Sequence, residues 1–136
     1  MLQDYQCFEV KKENYPLIRD SVIAAAERLG VQKLARFELG FEEVMVNIIN
    51  HSKSEKVYLK LSPTLPFTVE VIDFGVPFNP LRATETPTSA KYQAIDTATI
   101  GGLGLGLIKK TFPKASYQEQ IIEGVVANHL ILLYDN

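Results

Sequence analysis

Phe41-Glu42-Glu43-Val44-Met45-Val46-Asn47-Ile48-Ile49-Asn50-His51 is the stretch on which the reading of this chain turns. Its apolar residues belong to a stripe of Leu34, Phe37, Phe41, Val44, Met45 and Ile48, spaced by three or four, which predicts a helix from about Gln32 to about Asn50. Glu43, Asn47 and His51 recur at steps of four, and each such step turns a helical side chain only about 40° from the last, so the three share a face. That face borders the apolar stripe and sets a carboxylate and a carboxamide one turn apart at the margin of a core. An Asn oxygen is a suitable hard ligand for Mg2+, and a Glu one turn away can act as a base or orient a nucleophile. The same residues also suit a solvated amphipathic face, so the helix alone leaves both readings open. Gly40 inside it costs about 1 kcal/mol relative to Ala, and no local feature accounts for it.

Upstream, Tyr5 to Val10 reads as a short strand. Asn14 is a plausible N-cap with Pro16 in the first turn, and Leu17, Ile18, Val22, Ala25, Ala26 and Leu29 carry the apolar stripe of a first helix that ends at Gly30. Downstream the period changes to two. Val57, Leu59 and Leu61 alternate with Tyr58 and Lys60, and after Pro63 to Pro66 the run Thr68 to Ile72 alternates again, which predicts an antiparallel pair. Pro77, Pro80 and Pro87 break up Gly75 to Thr99 into a long loop, of the kind that serves as a lid or binding segment. Leu103 to Phe112 reads as a third helix, and Ala115 to Ile122 and Val125 to Tyr134 as two strands joined tightly at Glu123-Gly124. Hairpins segregated from helices define an α+β chain, and three helices with one sheet pack most economically as a two-layer α/β sandwich with the helices on one face.

Two further constellations could carry chemistry. Asp73-Phe74-Gly75 ends the strand Thr68 to Ile72, where a buried carboxylate can accept a hydrogen bond from an exocyclic amine such as adenine offers, while Gly75 lets backbone approach a flat ring. An ordinary Asp-x-Gly turn would look the same. Gly101-Gly102-Leu103-Gly104-Leu105-Gly106-Leu107-Ile108 stands at a loop-to-helix junction, where glycines remove Cβ obstruction and N-terminal amides can face polyphosphate. A flexible hinge is the competing account. The run lacks the Gly-Lys-Ser/Thr of a Walker A loop, and it follows a long loop instead of a first strand, which argues against a Rossmann fingerprint.

Composition narrows the classes. At 136 residues one domain, 1–136, is expected, and 46% hydrophobic with 22% charged residues is a globular mixture. A net charge of -2 offers no general attraction for phosphate backbones or anionic membranes, so no direct nucleic-acid or membrane partner is expected. The single Cys7 cannot form an internal disulfide, no Cys/His cluster has zinc spacing, and neither a secretory signal nor an apolar run of about 18 residues is present. A cytoplasmic location is the expectation.

Glu43-x-x-x-Asn47, then Asp73-x-Gly75, then Gly102-x-Gly104-x-Gly106, in this order, resemble the GHKL ATPase family that includes histidine kinases, gyrase-type ATPases and Hsp90. Within it, the small size and the sequence Phe41 to His51 resemble the anti-sigma factor serine/threonine-protein kinases, over nearly the whole chain from about Phe8 to Tyr134. The resemblance implies the Bergerat ATP-binding fold, a mixed, mainly antiparallel sheet beneath helices, with ATP and Mg2+ bound under a lid at about 76–100. It implies that Asn47 ligands Mg2+, that Glu43 is the catalytic base near the γ-phosphate, that Asp73 receives the adenine amine and that Gly75 lies against the ring. Gly102, Leu103, Gly104, Leu105 and Gly106 would hold the phosphates, with Arg82 and Lys91 of the lid either meeting phosphate or simply solvated. It also implies kinase activity towards a serine of a STAS-type anti-anti-sigma partner, alternating with capture of a sigma factor, and a possible homodimer. A nucleotide-responsive binding module without significant kinase activity is the alternative. Asp73-Phe74-Gly75-Val76-Pro77 lacks the second glycine of the histidine-kinase form, and neither His51 nor His129 lies in the context of a phosphoacceptor.

Overall fold

The computed structural model describes residues 2–81 and 101–135, with side chains described from residue 106 onward in the second stretch. Strand β1 (Gln6–Glu9) leads to helices α1 (Tyr15–Arg28) and α2 (Leu34–Asn47), strands β2 (Lys56–Leu61) and β3 (Phe67–Asp73), helix α3 (Gly101–Thr111) and strands β4 (Ser116–Ile122) and β5 (Val125–Tyr134). The sheet order is β1-β2-β3-β5-β4, and among the described residues all four pairings are antiparallel, in keeping with the mainly antiparallel sheet that the resemblance implied.

Each boundary has a local cause. Gly30 adopts φ +80°, its N–H donates to Glu27 and the N–H of Val31 to Ala26, so α1 closes in the paired hydrogen bonds of a Schellman motif that needs a left-handed residue there. Asn14 stands at the N-cap position of α1, but its side chain does not cap the helix; Nδ2 donates instead to the Glu9 carbonyl at 3.0 Å. Positive φ at both Glu123 and Gly124 gives the β4-β5 hairpin a two-residue turn whose twist matches its strands. Helix α2 does not run on as α-helix to Asn50; a single π turn, Ile48–Ser52, follows Asn47, and Lys53 at φ +62° ends it.

Alternation decides which side of the sheet is covered. Val57 and Leu59 of β2, Phe67, Val69 and Val71 of β3, and Leu130, Leu132 and Tyr134 of β5 face the helices, meeting Ile18, Val22 and Ala26 of α1, Phe37, Phe41, Val44 and Met45 of α2, and Ile108 and Phe112 at the end of α3. Leu17, expected in the stripe of α1, is exposed. Phe37 is the hub of this core. Its ring lies 5.3 to 5.8 Å from those of Phe41, Phe67, Phe112 and Tyr134, which joins two helical segments to two strands through stacked and edge-on contacts. The other sheet face carries a smaller cluster, Ile72, Ile122 and Ala127, flanked by Leu2, Tyr5, Tyr58 and Phe74. There Tyr5 O–H donates to Glu70 Oε1 at 2.7 Å, and His129 stands between Glu70 Oε1 (2.9 Å) and Gln120 Oε1 (2.7 Å).

Candidate nucleotide-binding site

The period of β3 that buries Phe67, Val69 and Val71 carries Asp73, the next residue of the same face, to the end of the helix-covered side. Directly across the ladder on β5 stands Asn128, and from above the last turn of α2 brings Asn47. Between sheet and helix lies a cavity of about 280 Å³, lined among others by Val44, Asn47, His51, Asp73, Tyr117 and Asn128, with Val71, Leu130, Pro77 and Phe78 giving it apolar walls. A few polar groups converging inside an otherwise apolar cleft is the usual form of a small-molecule site.

Asp73 is buried. Its Oδ1 accepts the N–H of Gly75 at 2.8 Å and Nδ2 of Asn128 at 3.0 Å, and removal from water pushes its pKa above the usual carboxylate value, against the pull of these two donors. Asn47 is buried too, and its side-chain nitrogen has no hydrogen-bond partner. A buried amide group without a partner is costly, of order 1–3 kcal/mol, unless something entering the cavity takes it up. Glu43 lies one turn earlier, half-buried and not among the cavity walls; burial, then the neighbouring Glu42, raise its pKa.

Gly75 has a different reason for being glycine than approach to a ring. A Cβ on it would fall 2.0 Å from the carbonyl oxygen of Ser52, and the next residue, Val76, donates its N–H to that same oxygen at 2.7 Å. The missing side chain therefore lets the exit of β3 dock on the π turn after α2, and Gly75 is not one of the cavity walls. Ser54 strengthens this seam, donating through Oγ to the Lys56 carbonyl at 2.7 Å and accepting the N–H of Phe74 at 3.1 Å.

The run Gly102, Leu103, Gly104, Leu105 and Gly106 makes up the first turns of α3, which begins at Gly101 and not at Leu103. The side chains of Leu103 and Leu105 lie outside the described residues, as do Arg82, Lys91 and the expected lid beyond Leu81. Sequence reasoning missed Asn128, Tyr117 and the Ser52/Ser54 seam. An Asn set inside the apolar run Val125 to Leu133 was the available signal, because a buried amide in such a strand must have partners.

Among the described residues, no group of three or more His, Cys, Asp or Glu could hold a metal ion. Asn47, at the cavity, would offer Mg2+ one side-chain oxygen, which suits a cation that keeps several waters and takes its other ligands from phosphates. Among the described residues, no helix is long and apolar enough to cross a membrane.

A sheet covered by helices on one side leaves a cavity between the layers that a buried carboxylate at a strand end and a buried Asn of the facing helix both line. The family model for the histidine kinase-like ATPase domain matches residues 8–128, and the chain belongs to that family. Among solved structures it is similar to the catalytic domain of histidine kinase ThkA in a nucleotide-free form, at 14% identity and a TM-score of 0.43, with 98% of this chain and 99% of that chain covered. None of the curated proteins matches it.

Proposed function

We propose that the protein is an ATP-dependent serine/threonine-protein kinase of the anti-sigma type, which phosphorylates a STAS-type anti-anti-sigma partner and alternately sequesters a sigma factor. The observation that carries the nucleotide reading is the convergence of Asp73 and the unpartnered amide of Asn47 on one cavity. Family membership supports ATP as the ligand. The serine-kinase branch rests on the resemblance of Phe41 to His51 and on the positions of the two histidines: His51 lies in the π turn at the cavity and His129 in β5 on the opposite sheet face.

The residues divide the work. Asp73 accepts the base amine, and the apolar walls Val71 and Leu130 flank the base. Asn47 would hold Mg2+ through its side-chain oxygen, and the cation when bound would neutralise phosphate charge. The amides of the first turn of α3 suit phosphate oxygens, since a helix N-terminus carries unpaired N–H groups and positive potential. Glu43 takes the proton of the partner's serine as its oxygen bonds to the γ-phosphorus and the bond from that phosphorus to the β,γ-bridging oxygen breaks. Burial raises the affinity of Glu43 for a proton, which strengthens it as a proton acceptor.

The test is incubation of the protein with ATP labelled at the γ-phosphate, Mg2+ and a purified STAS-type protein, followed by location of the label. Label on a partner serine supports the kinase. Nucleotide binding without transfer assigns the alternative, a nucleotide-responsive binding module.

A further inference from the structure

The amide of Asn128 is held from both ends. Phe78 N–H can only donate, so its 3.1 Å contact fixes the oxygen of the amide towards the chain that follows β3, and Tyr117 O–H donates to the same oxygen. The nitrogen is thereby turned to Asp73, donating to Oδ1 at 3.0 Å and to the Val76 carbonyl at 3.1 Å. Oδ1 of Asp73 receives two donors, Asn128 and the Gly75 N–H, which engages both its lone pairs. Oδ2 receives none among the described residues, and it belongs to a residue that lines the cavity.

We propose that Asn128 is a positioning residue for base selectivity: by occupying Oδ1 it presents Oδ2 of Asp73 as the acceptor, favouring a purine with an exocyclic amine over one with an oxo group there. The inference rests on the nucleotide-binding reading and deepens it. An ionised carboxylate has no proton to offer a guanine carbonyl, and two acceptors brought together in an apolar site repel. The fixed amide also holds the plane of the carboxylate in one orientation at the cavity wall.

The experiment is calorimetric titration of wild type and Asn128→Ala with ATP and with GTP, in Mg2+, over a range of pH. Wild type is expected to prefer ATP, and the variant to narrow the ATP-to-GTP affinity ratio about tenfold, the scale of one hydrogen bond to a charged group. Loss of the amide donor also disfavours the charged form of Asp73, so the pH below which ATP affinity falls moves upward in the variant. His51 and Tyr117, the other titratable groups of the cavity, and Glu119, the cross-strand neighbour of Asn128, remain in place in that comparison. Tyr117→Phe frees Asn128 from one donor and is expected to act in the same direction more weakly, which keeps the test sound if Asn128→Ala does not fold. Equal weakening of both nucleotides with an unmoved pH midpoint overturns the inference and leaves the nucleotide site standing. Failure of wild type to bind either nucleotide overturns both.

Discussion

Thr111 at the end of α3 occupies the space that a side chain on Gly40 of α2 would need: a Cβ on Gly40 would fall 2.6 Å from the Cβ of Thr111. The glycine that looks costly within its own helix is what permits close approach of the helix carrying Glu43 and Asn47 to the helix whose first turns hold the glycine run. Local propensity and tertiary packing oppose each other at this position, and packing prevails.

Gly40→Ala gains about 1 kcal/mol of helix propensity but forces two helices apart, and overpacking of this kind costs about 1–3 kcal/mol. The variant is expected to be less stable than wild type, with Gly40→Val worse, as read from the midpoints of urea unfolding curves. An unchanged or raised midpoint for Gly40→Ala would show that α2 and α3 separate without strain.

Asp73→Asn keeps an acceptor for Gly75 and Asn128 and converts the remaining oxygen into a donor, so ATP affinity is expected to fall by about a hundredfold in calorimetry, the scale of a lost charged hydrogen bond plus an opposed donor. The stability consequence has the opposite sign. Burial raises the pKa of Asp73 in the folded state, so its contribution is fully present below the unfolded value of about 3.9 and is lost as pH rises through the folded pKa. Unfolding measured against pH should therefore show the variant gaining on wild type across that window, whatever constant offset the substitution brings.

Glu43→Gln is expected to leave nucleotide affinity within about twofold of wild type and to lower phosphoryl transfer by 10²–10⁴, roughly the range of general base catalysis. Asn47→Ala is expected to remove the Mg2+ dependence of ATP binding. Titrations with Mg2+ and with chelator, set beside label transfer, separate the two roles; normal transfer by Glu43→Gln would remove that residue from the reaction.

Glu70, on the other sheet face, pairs with Tyr5 and His129. Burial raises its pKa, but the hydrogen bonds from Tyr5 and His129 and the charges of His129 and Lys60 outweigh this and lower it. Its contribution to stability is thus present above the unfolded value of about 4.3 and lost as pH falls through the folded pKa. Glu70→Gln is expected to cost about 1–2 kcal/mol at neutral pH, a difference that shrinks as the solution is acidified. A pH-independent difference between the two unfolding curves would mean that the network carries no charge coupling.

Of the residues singled out in the sequence, Asn47 and Asp73 line the cavity, and their places at a helix margin and a strand end follow periodic rules. Glu43 and Asn47 share a face by the helical step, and Asp73 stands at the exit of the alternating run Thr68 to Ile72; that it continues the buried face of Phe67, Val69 and Val71 is seen in the structure. Asn128 was legible only as a polar residue in an apolar run, and its pairing with Asp73 was not, since nothing local says which residue of β5 stands opposite Asp73. Gly75 was legible as a glycine but not for its reason, which is a carbonyl 23 positions earlier in the chain.

Taken alone, the sequence determined the order of strands and helices and the two hairpin connections, because side-chain period, turn chemistry and apolar spacing act over a few neighbouring residues. Only the tertiary structure decided that β1 pairs with β2 and β5 with β3, that Ser52 docks on Gly75, that Thr111 packs on Gly40 and that Asn128 holds Asp73. Those facts depend on strand register and on helix separation. Both are settled by the packing of the whole core, to which each local segment contributes only one side.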